Sequence, residues 1–227
     1  MTQAIPIITL DGPSGSGKGS VGCRVAETLG WHFLDSGALY RLLALSTIRA
    51  GLDAQNESAL CALALSLDIG FHAVSKEVYL AGEPVTLLIR SEDCSQMASQ
   101  VAALGRVRAA LLERQRAFAK EPGLVADGRD MGSVVFPEAR YKFFLEASLQ
   151  VRVQRRYLQL KATGQNVSLE DLWQQMKMRD ERDRTRADAP LLPAKGAVVL
   201  DTTDLGVEAV CAQILRQVHQ HSANGTH

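Results

Sequence analysis

Along most of the chain, short apolar runs alternate with stretches whose apolar residues recur every three or four positions. Residues 5–10 form such a run, and their length and isoleucine content predict a buried parallel strand ending at Asp11-Gly12. A glycine-rich loop follows. Val21, Val25 and Leu29 then lie on one stripe and predict a helix closed by Gly30. Residues 31–34 read as extended. Leu39, Leu42, Leu43 and Ala50 predict a second helix ending at Gly51, and residues 56–67 a third with Asn56 as its N-cap.

From Asp68 to Ile89 the period changes to two. Ile69/Phe71, Val78/Leu80 and Val85/Leu87/Ile89, with a turn at Ala81-Gly82-Glu83-Pro84, predict three small antiparallel strands. Helical spacing resumes over 94–120. Residues 123–127, 141–145 and 197–201 predict three more strands separated by helices. Ser148 can cap one helix, and Ser168-Leu-Glu-Asp171 resembles a capping box at the start of the next. Trp173 and Met176, at helical spacing, are expected in a core. The last helix carries Val207, Val210, Ile214 and Val218, and residues 219–227 read as a frayed tail. Strand and helix repeated in this order imply an α/β fold. A parallel sheet of about five strands is covered on both faces, with a small antiparallel insert.

Composition narrows the function classes. The 227 residues suit one domain, and 46% apolar content suits an ordinary globular core. The formal net charge is zero, so nothing draws the chain to nucleic acid or an anionic membrane, and anion recognition must come from local clusters. Cys23, Cys61, Cys94 and Cys211 are scattered, without metal-type spacing or a C-x-x-C pair, as expected of thiols in a reducing cytosol. The start of the chain lacks the basic and apolar regions of a signal peptide, and no stretch has the length to span a bilayer. A cytoplasmic monomer is expected.

The strongest chemical signal is the loop Gly12, Pro13, Ser14, Gly15, Ser16, Gly17, Lys18, Gly19 and Ser20. Glycines let main-chain N–H groups converge on phosphate oxygens, the following helix presents its positive end, and Lys18 adds a full charge near the β- and γ-phosphates. The usual loop ends Gly-Lys-Ser/Thr, whereas here Gly19 takes the hydroxyl position and Ser20 is displaced by one. No side chain is therefore expected to bind magnesium directly; waters and substrate phosphates would hold it.

The Gly-Lys-Gly-Ser ending resembles that of the nucleoside monophosphate kinases. Leu34-Asp-Ser-Gly-Ala-Leu-Tyr-Arg41, Ala126-Asp-Gly-Arg-Asp-Met-Gly132 and Arg179-Asp-Glu-Arg-Asp-Arg-Thr-Arg186 closely resemble segments of the bacterial cytidylate kinase family, in the same order and over nearly the whole chain. The resemblance implies transfer of the γ-phosphate of Mg-ATP to CMP or dCMP, in pyrimidine nucleotide salvage. It implies a single kinase domain with a monophosphate-binding insert over about 64–95 and a lid over about 152–168, both closing when the two substrates bind. Arg41 and Arg129 would hold the acceptor phosphate, with Ser36 nearby. Asp183 and Arg179 would contact the ribose, and Ser99, Arg108, Asp130 and Arg186 the cytosine edge. Arg152, Arg155 and Arg156 would serve catalysis from the lid.

The residues agree with such chemistry. An acceptor phosphate oxygen is already ionised at neutral pH, so positioning and charge neutralisation suffice and no general base is required. Arg41 and Arg129 follow the second and third main-sheet strands, at the ends where open α/β sheets bind ligands. Read alone, the run 179–186 is equally a solvated helix face, and Arg152, Arg155 and Arg156 a surface face. Asp35 and Asp127 fit either turn capping or a water-mediated magnesium role. Ser36 fits a helix cap, and His32 a packed or exposed histidine. A kinase for another nucleoside monophosphate or a small metabolite is the alternative. A GTP switch lacks support, since Asp201-Thr-Thr-Asp204 has no lysine of a guanine motif, and the intact Lys18 and arginine set argue against an inert nucleotide-binding module.

Overall fold

The computed structural model describes residues 5–71 and 77–223. Residues 72–76 of the expected insert and 224–227 of the expected tail lie outside the described residues. In chain order the elements are β1 (Ile7–Asp11), α1 (Lys18–Leu29), β2 (His32–Asp35), α2 (Ser36–Arg49), α3 (Glu57–Ser66), β3 (Ile69–Phe71), β4 (Val78–Leu80) and β5 (Glu83–Pro84). There follow α4 (Glu92–Val101), α5 (Gly105–Arg116), β6 (Leu124–Gly128), β7 (Tyr141–Glu146), α6 (Leu149–Ala162), α7 (Leu169–Thr185), β8 (Val198–Asp201) and α8 (Val207–Ala223). The chain divides into two compact units, residues 1–35 with 116–227, and residues 36–115.

The first unit is built on a five-stranded sheet of order β2-β6-β1-β7-β8, parallel at every pairing. β1 is central and buried on both faces. Ile8 and Leu10 pack with Val21 and Val25 of α1 and with Val210, Ile214 and Val218 of α8. Each such side chain contributes about 1.5–3 kcal/mol on burial. A truncation such as Leu10→Ala would cost about 2–5 kcal/mol. The register puts Asp11 beside Gly128 and Asp35 beside Asp127, so the C-terminal ends of β1, β2 and β6 bring carboxylates and the glycine loop to one edge.

α6 and α7 pack through Val153, Leu160, Leu172 and Met176. Their N-caps form as the sequence predicts: Ser148 Oγ accepts from Val151 N–H and Ser168 Oγ from Asp171 N–H. Met176 is in the core, but Trp173 is 38% exposed. The buried stripe of α7 runs Leu172, Met176, Asp180, Asp183, and Trp173 lies one residue, about 100°, round the helix from it. The predicted frayed tail is helical to Ala223, since no glycine or proline interrupts α8 before that point.

The second unit packs α2, α3, α4 and α5 around Leu42, Leu43, Leu60, Val101, Val107 and Leu111. Asn56 caps α3 by accepting from Ala59 N–H. The predicted 94–120 helix is two helices, α4 and α5. The small sheet has order β3-β4-β5, all antiparallel. Its third strand is shorter and earlier than its apolar alternation implies. Ala81 (φ 50°) and Gly82 (φ 77°) both take the left-handed conformation, so the hairpin closes at once and β5 is only Glu83–Pro84. Val85 and Ile89 are then buried at helical i, i+4 spacing across a short 3₁₀ turn, while Leu87 between them is 70% exposed.

Candidate active site

The glycine loop is shaped by contacts on its outer edge. Gly12 has φ 144°, and a Cβ there would lie 2.0 Å from the Leu145 carbonyl oxygen, so no side chain fits. Gly15, at φ 79°, faces the backbone of Arg152 at 3.0 Å in the same sense. Three loop carbonyls are held by donors. Pro13 C=O accepts from Lys18 Nζ at 2.8 Å and from Ser16 Oγ at 3.1 Å. Ser14 C=O accepts from Arg152 Nη1 at 3.1 Å, and Ser16 C=O from Thr202 Oγ1 at 2.9 Å. Turning the carbonyls toward protein donors leaves the opposite edge of the peptides, their N–H groups, to an anion. Gly17, left-handed at φ 92°, then delivers the chain into α1 with Lys18 as its first residue. Gly19 and Ser20 are exposed.

Lys18 is buried, and its ammonium is pushed down to about 7, first by burial and then by the nearby positive charge of Arg129; Asp127 and Asp11 oppose the shift. A phosphate chain in the loop would restore the charge, because an anion beside an ammonium favours its protonated form.

Asp11, the last residue of β1, reaches across to the loop after β6. Its Oδ1 accepts from Met131 N–H and its Oδ2 from Gly132 N–H, both at 2.8 Å. Burial pushes its carboxyl up to about 7 against those two hydrogen bonds. The same loop carries Arg129, whose Nε donates to Asp183 Oδ2 at 3.0 Å. Burial alone would raise the Asp183 carboxyl, but the Arg129 and Arg179 guanidiniums outweigh it and hold the group below the usual carboxylate range. For Arg129 burial likewise acts against the charge, and Asp183 and Asp127 overcome it. The acid–base run 179–186 is therefore not a uniformly solvated face: Asp180, Asp183 and Arg186 are buried. Arg186 Nε donates to the Ala189 carbonyl.

Arg152, Arg155 and Arg156, expected in a lid, differ in their partners. Arg152 is buried and grips Asp180 with both guanidinium ends, at 2.6 and 3.2 Å, while donating to Ser14 and Ala147 carbonyls. Arg155 Nη2 donates to Thr202 C=O at 2.6 Å and reaches the Thr203 and Leu205 carbonyls. Arg156 donates to Gln159 Oε1 at 3.0 Å. In this conformation Arg152 and Arg155 brace the phosphate loop and the chain after β8. A recess of about 290 Å³ opens beside them, lined by Pro13, Glu146, Ser148, Arg152, Asp201 and Thr203 among others.

Four expected acceptor residues belong to the second unit. Ser36 opens α2 and is buried. Arg41 follows on the same helix, its carbonyl accepting from Cys94 Sγ at 3.2 Å. Ser99 is buried on α4. Arg108, on α5, lies over the Tyr40 ring at 5.7 Å and donates to the Ala102 carbonyl at 3.1 Å. His32 Nε2 meets the Glu121 carbonyl at 2.9 Å, a packing contact.

Three residues that shape the site escaped sequence reasoning: Asp11, Asp180 and Thr202. The available signal was position, since Asp11 and Thr202 stand at the C-terminal ends of parallel strands, where polar side chains serve the loops.

The model of the family described as cytidylate kinase matches residues 8–220. The chain belongs to the cytidylate kinase family. The cytidylate kinase of Stutzerimonas stutzeri (strain A1501) is 54% identical over 229 residues, covering 99% of this chain and 100% of that one. That of Pseudomonas savastanoi pv. phaseolicola (strain 1448A / Race 6) is 56% identical over 217 residues, covering 94% and 95%. Among solved structures, a gluconokinase from Sinorhizobium meliloti 1021 aligns over 99% of this chain and 98% of that one, at 16% identity and a TM-score of 0.48. Among the described residues, no helix is long and apolar enough to cross a membrane.

Proposed function

We propose that this chain transfers the γ-phosphate of ATP to CMP, and also to dCMP, giving CDP or dCDP and ADP in pyrimidine nucleotide salvage. The observation that carries the reading is the juxtaposition of Lys18, buried at the head of α1, with Arg129 on the loop after β6, which is paired to Asp183 of α7. An oxygen of the acceptor phosphate attacks the γ-phosphorus in line, and the bond to the β–γ bridging oxygen breaks as ADP leaves. The attacking oxygen carries no proton to remove. Lys18 and the loop N–H groups hold the donor phosphates, and Arg129 offers its planar fork to the transferring and accepting groups. Arg179 adds charge beside them. Asp130 and Arg186 read the cytosine edge and Asp183 the ribose. Ser36, Arg41, Ser99 and Arg108 keep the roles the family resemblance implies, and Arg156 serves the lid. Arg152 and Arg155 contribute by holding the phosphate loop and the chain after β8. The recess beside Pro13 takes the nucleoside of the donor.

Magnesium fits the donor set as an outer partner. A Cβ on Gly19 would lie 3.4 Å from Asp127 Oδ2, so the place of the usual loop hydroxyl adjoins a carboxylate. Asp127 would hold the ion through water, with Asp35 in register beside it. The ion supplies charge neutralisation on the phosphates; the chain supplies the cradle and the cations. The insert over about 64–95 and the lid over about 152–168 close on the substrates and exclude water, which would otherwise accept the phosphate. The setting is the cytoplasm, in keeping with four cysteines that form no disulfide among the described residues, and the working form is a monomer.

The test is a panel of nucleoside monophosphates with Mg-ATP in a coupled assay. CMP and dCMP should turn over fastest; faster turnover of AMP, GMP or shikimate would replace the proposed acceptor. Light scattering checks the monomer.

A further inference from the structure

The transfer step uses no chemistry from Asp11, yet this carboxylate is one of the most tightly held in the first unit. It is 3% exposed and closes β1 directly before the phosphate loop. Each oxygen takes one N–H, Oδ1 that of Met131 and Oδ2 that of Gly132. The two N–H groups open a short π-type turn over Met131–Val135. Arg129 and Asp130 are the two residues between that turn and the end of β6. On the other side, Gly128 pairs in register with Asp11 itself.

This short span is therefore tied at both ends to the same residue of β1, by the sheet before it and by the carboxylate after it. Two bonds from one short side chain to successive N–H groups fix the rotation of the turn as well as its distance. β1 is itself held from both sides, Asp11 standing in register with Gly128 of β6 and Phe144 of β7.

We infer that Asp11 is a positioning residue for the acceptor: it sets the register of Arg129 and Asp130 against the phosphate loop, so that the strand that launches the donor's cradle also aligns the acceptor's ligands. This rests on the reading that Arg129 and Asp130 bind the acceptor.

The test is Asp11→Asn, assayed at pH 8, where a carboxyl raised to about 7 is ionised. The amide keeps the shape but turns an NH₂ toward one of the two N–H groups. KM for CMP should rise about tenfold or more, the scale of losing one hydrogen bond to a charged group, while KM for ATP stays within about twofold. Amide exchange at Met131 and Gly132 should quicken by a similar factor. A lowered Tm with both KM values unchanged, or equal rises for ATP and CMP, would overturn the inference. In the unmodified chain, CMP alone should slow exchange at those two amides and ATP alone should not. Equal protection by ATP alone would overturn it too, whether or not the variant folds. A wild-type chain that fails to phosphorylate CMP would instead sink the acceptor assignment, and the variant's amide exchange would still report the grip.

Discussion

Arg152 and Asp180 form a buried two-pronged ion pair, Nη2–Oδ2 at 2.6 Å and Nη1–Oδ1 at 3.2 Å, and the same guanidinium holds the Ser14 carbonyl of the phosphate loop. Removing one partner leaves the other charge buried and alone. Arg152→Ala or Asp180→Ala should each destabilise the fold by about 3–5 kcal/mol, read from urea denaturation. The Arg152→Met/Asp180→Leu double variant should recover much of that stability yet keep a raised KM for ATP, since the Ser14 carbonyl still lacks its donor. A double variant with normal KM for ATP would show that the brace does not shape the loop.

Lys18→Ala should lower kcat by about 10²–10³, a loss of about 3–4 kcal/mol of transition-state stabilisation. Near-normal turnover would contradict its role.

The low value for Lys18 gives a proton signature. With a folded-state value of about 7, the free ammonium is largely neutral at pH 8, and bound phosphates pull it back toward its usual 10.5. ATP binding at pH 8 should therefore take up a proton, up to about one per ATP. Calorimetry in buffers of different ionisation enthalpy measures this, and Lys18→Met should abolish it. The same shift penalises the free fold most below pH 7, and the penalty is relieved as pH rises toward 10.5.

Asp183 is also shifted downward, so its linkage has the same sign as that of Lys18 but acts in the acid range. Its folded value lies below its ordinary 3.8, so its contribution is present above that pH and is lost as pH falls through the lowered value. Asp183→Asn should flatten the acid limb of the Tm–pH curve below about pH 4. An unchanged limb would mean that the Arg129 pair carries no stability.

At Gly19 the backbone is not left-handed, and a Cβ would sit in ordinary contact with Asp127. Gly19→Ser should keep kcat within about threefold and lower the magnesium concentration for half-saturation, by restoring the usual hydroxyl ligand. Asp127→Asn should raise that concentration about tenfold. Magnesium titrations at fixed ATP decide both.

Asp130→Ala and Arg186→Ala should each raise KM for CMP more than KM for ATP, because unpaired polar groups in a base pocket penalise the matching base. Equal effects on both substrates would remove these residues from the pocket.

Much of the architecture was legible because its determinants are local. Continuous apolar runs mark strands buried on both faces, serine and asparagine mark helix starts, and the glycine–lysine spacing marks the cradle. Asn56, Ser148 and Ser168 all cap where the sequence places them. Local pattern failed where two periods competed. Over 85–89 the alternation Val-x-Leu-x-Ile reads as strand, but Val85 and Ile89 also match a helical turn, and the tight turn at Ala81-Gly82 decided for the latter. Trp173 and Met176 have the same local character, and only the facing surface of α6 selects Met176 for the core.

By itself the sequence determined the strand–helix order, the phosphate loop and the supply of arginines, since each depends on neighbours within a few residues. Tertiary structure alone decided what those charges do. Asp11 meets Met131 across 120 positions, Arg152 meets Asp180 across 28, and Thr202 meets Ser16 across 186. Whether a charged side chain braces the protein or faces a substrate depends on partners brought close by the sheet, because desolvation and pairing act through space.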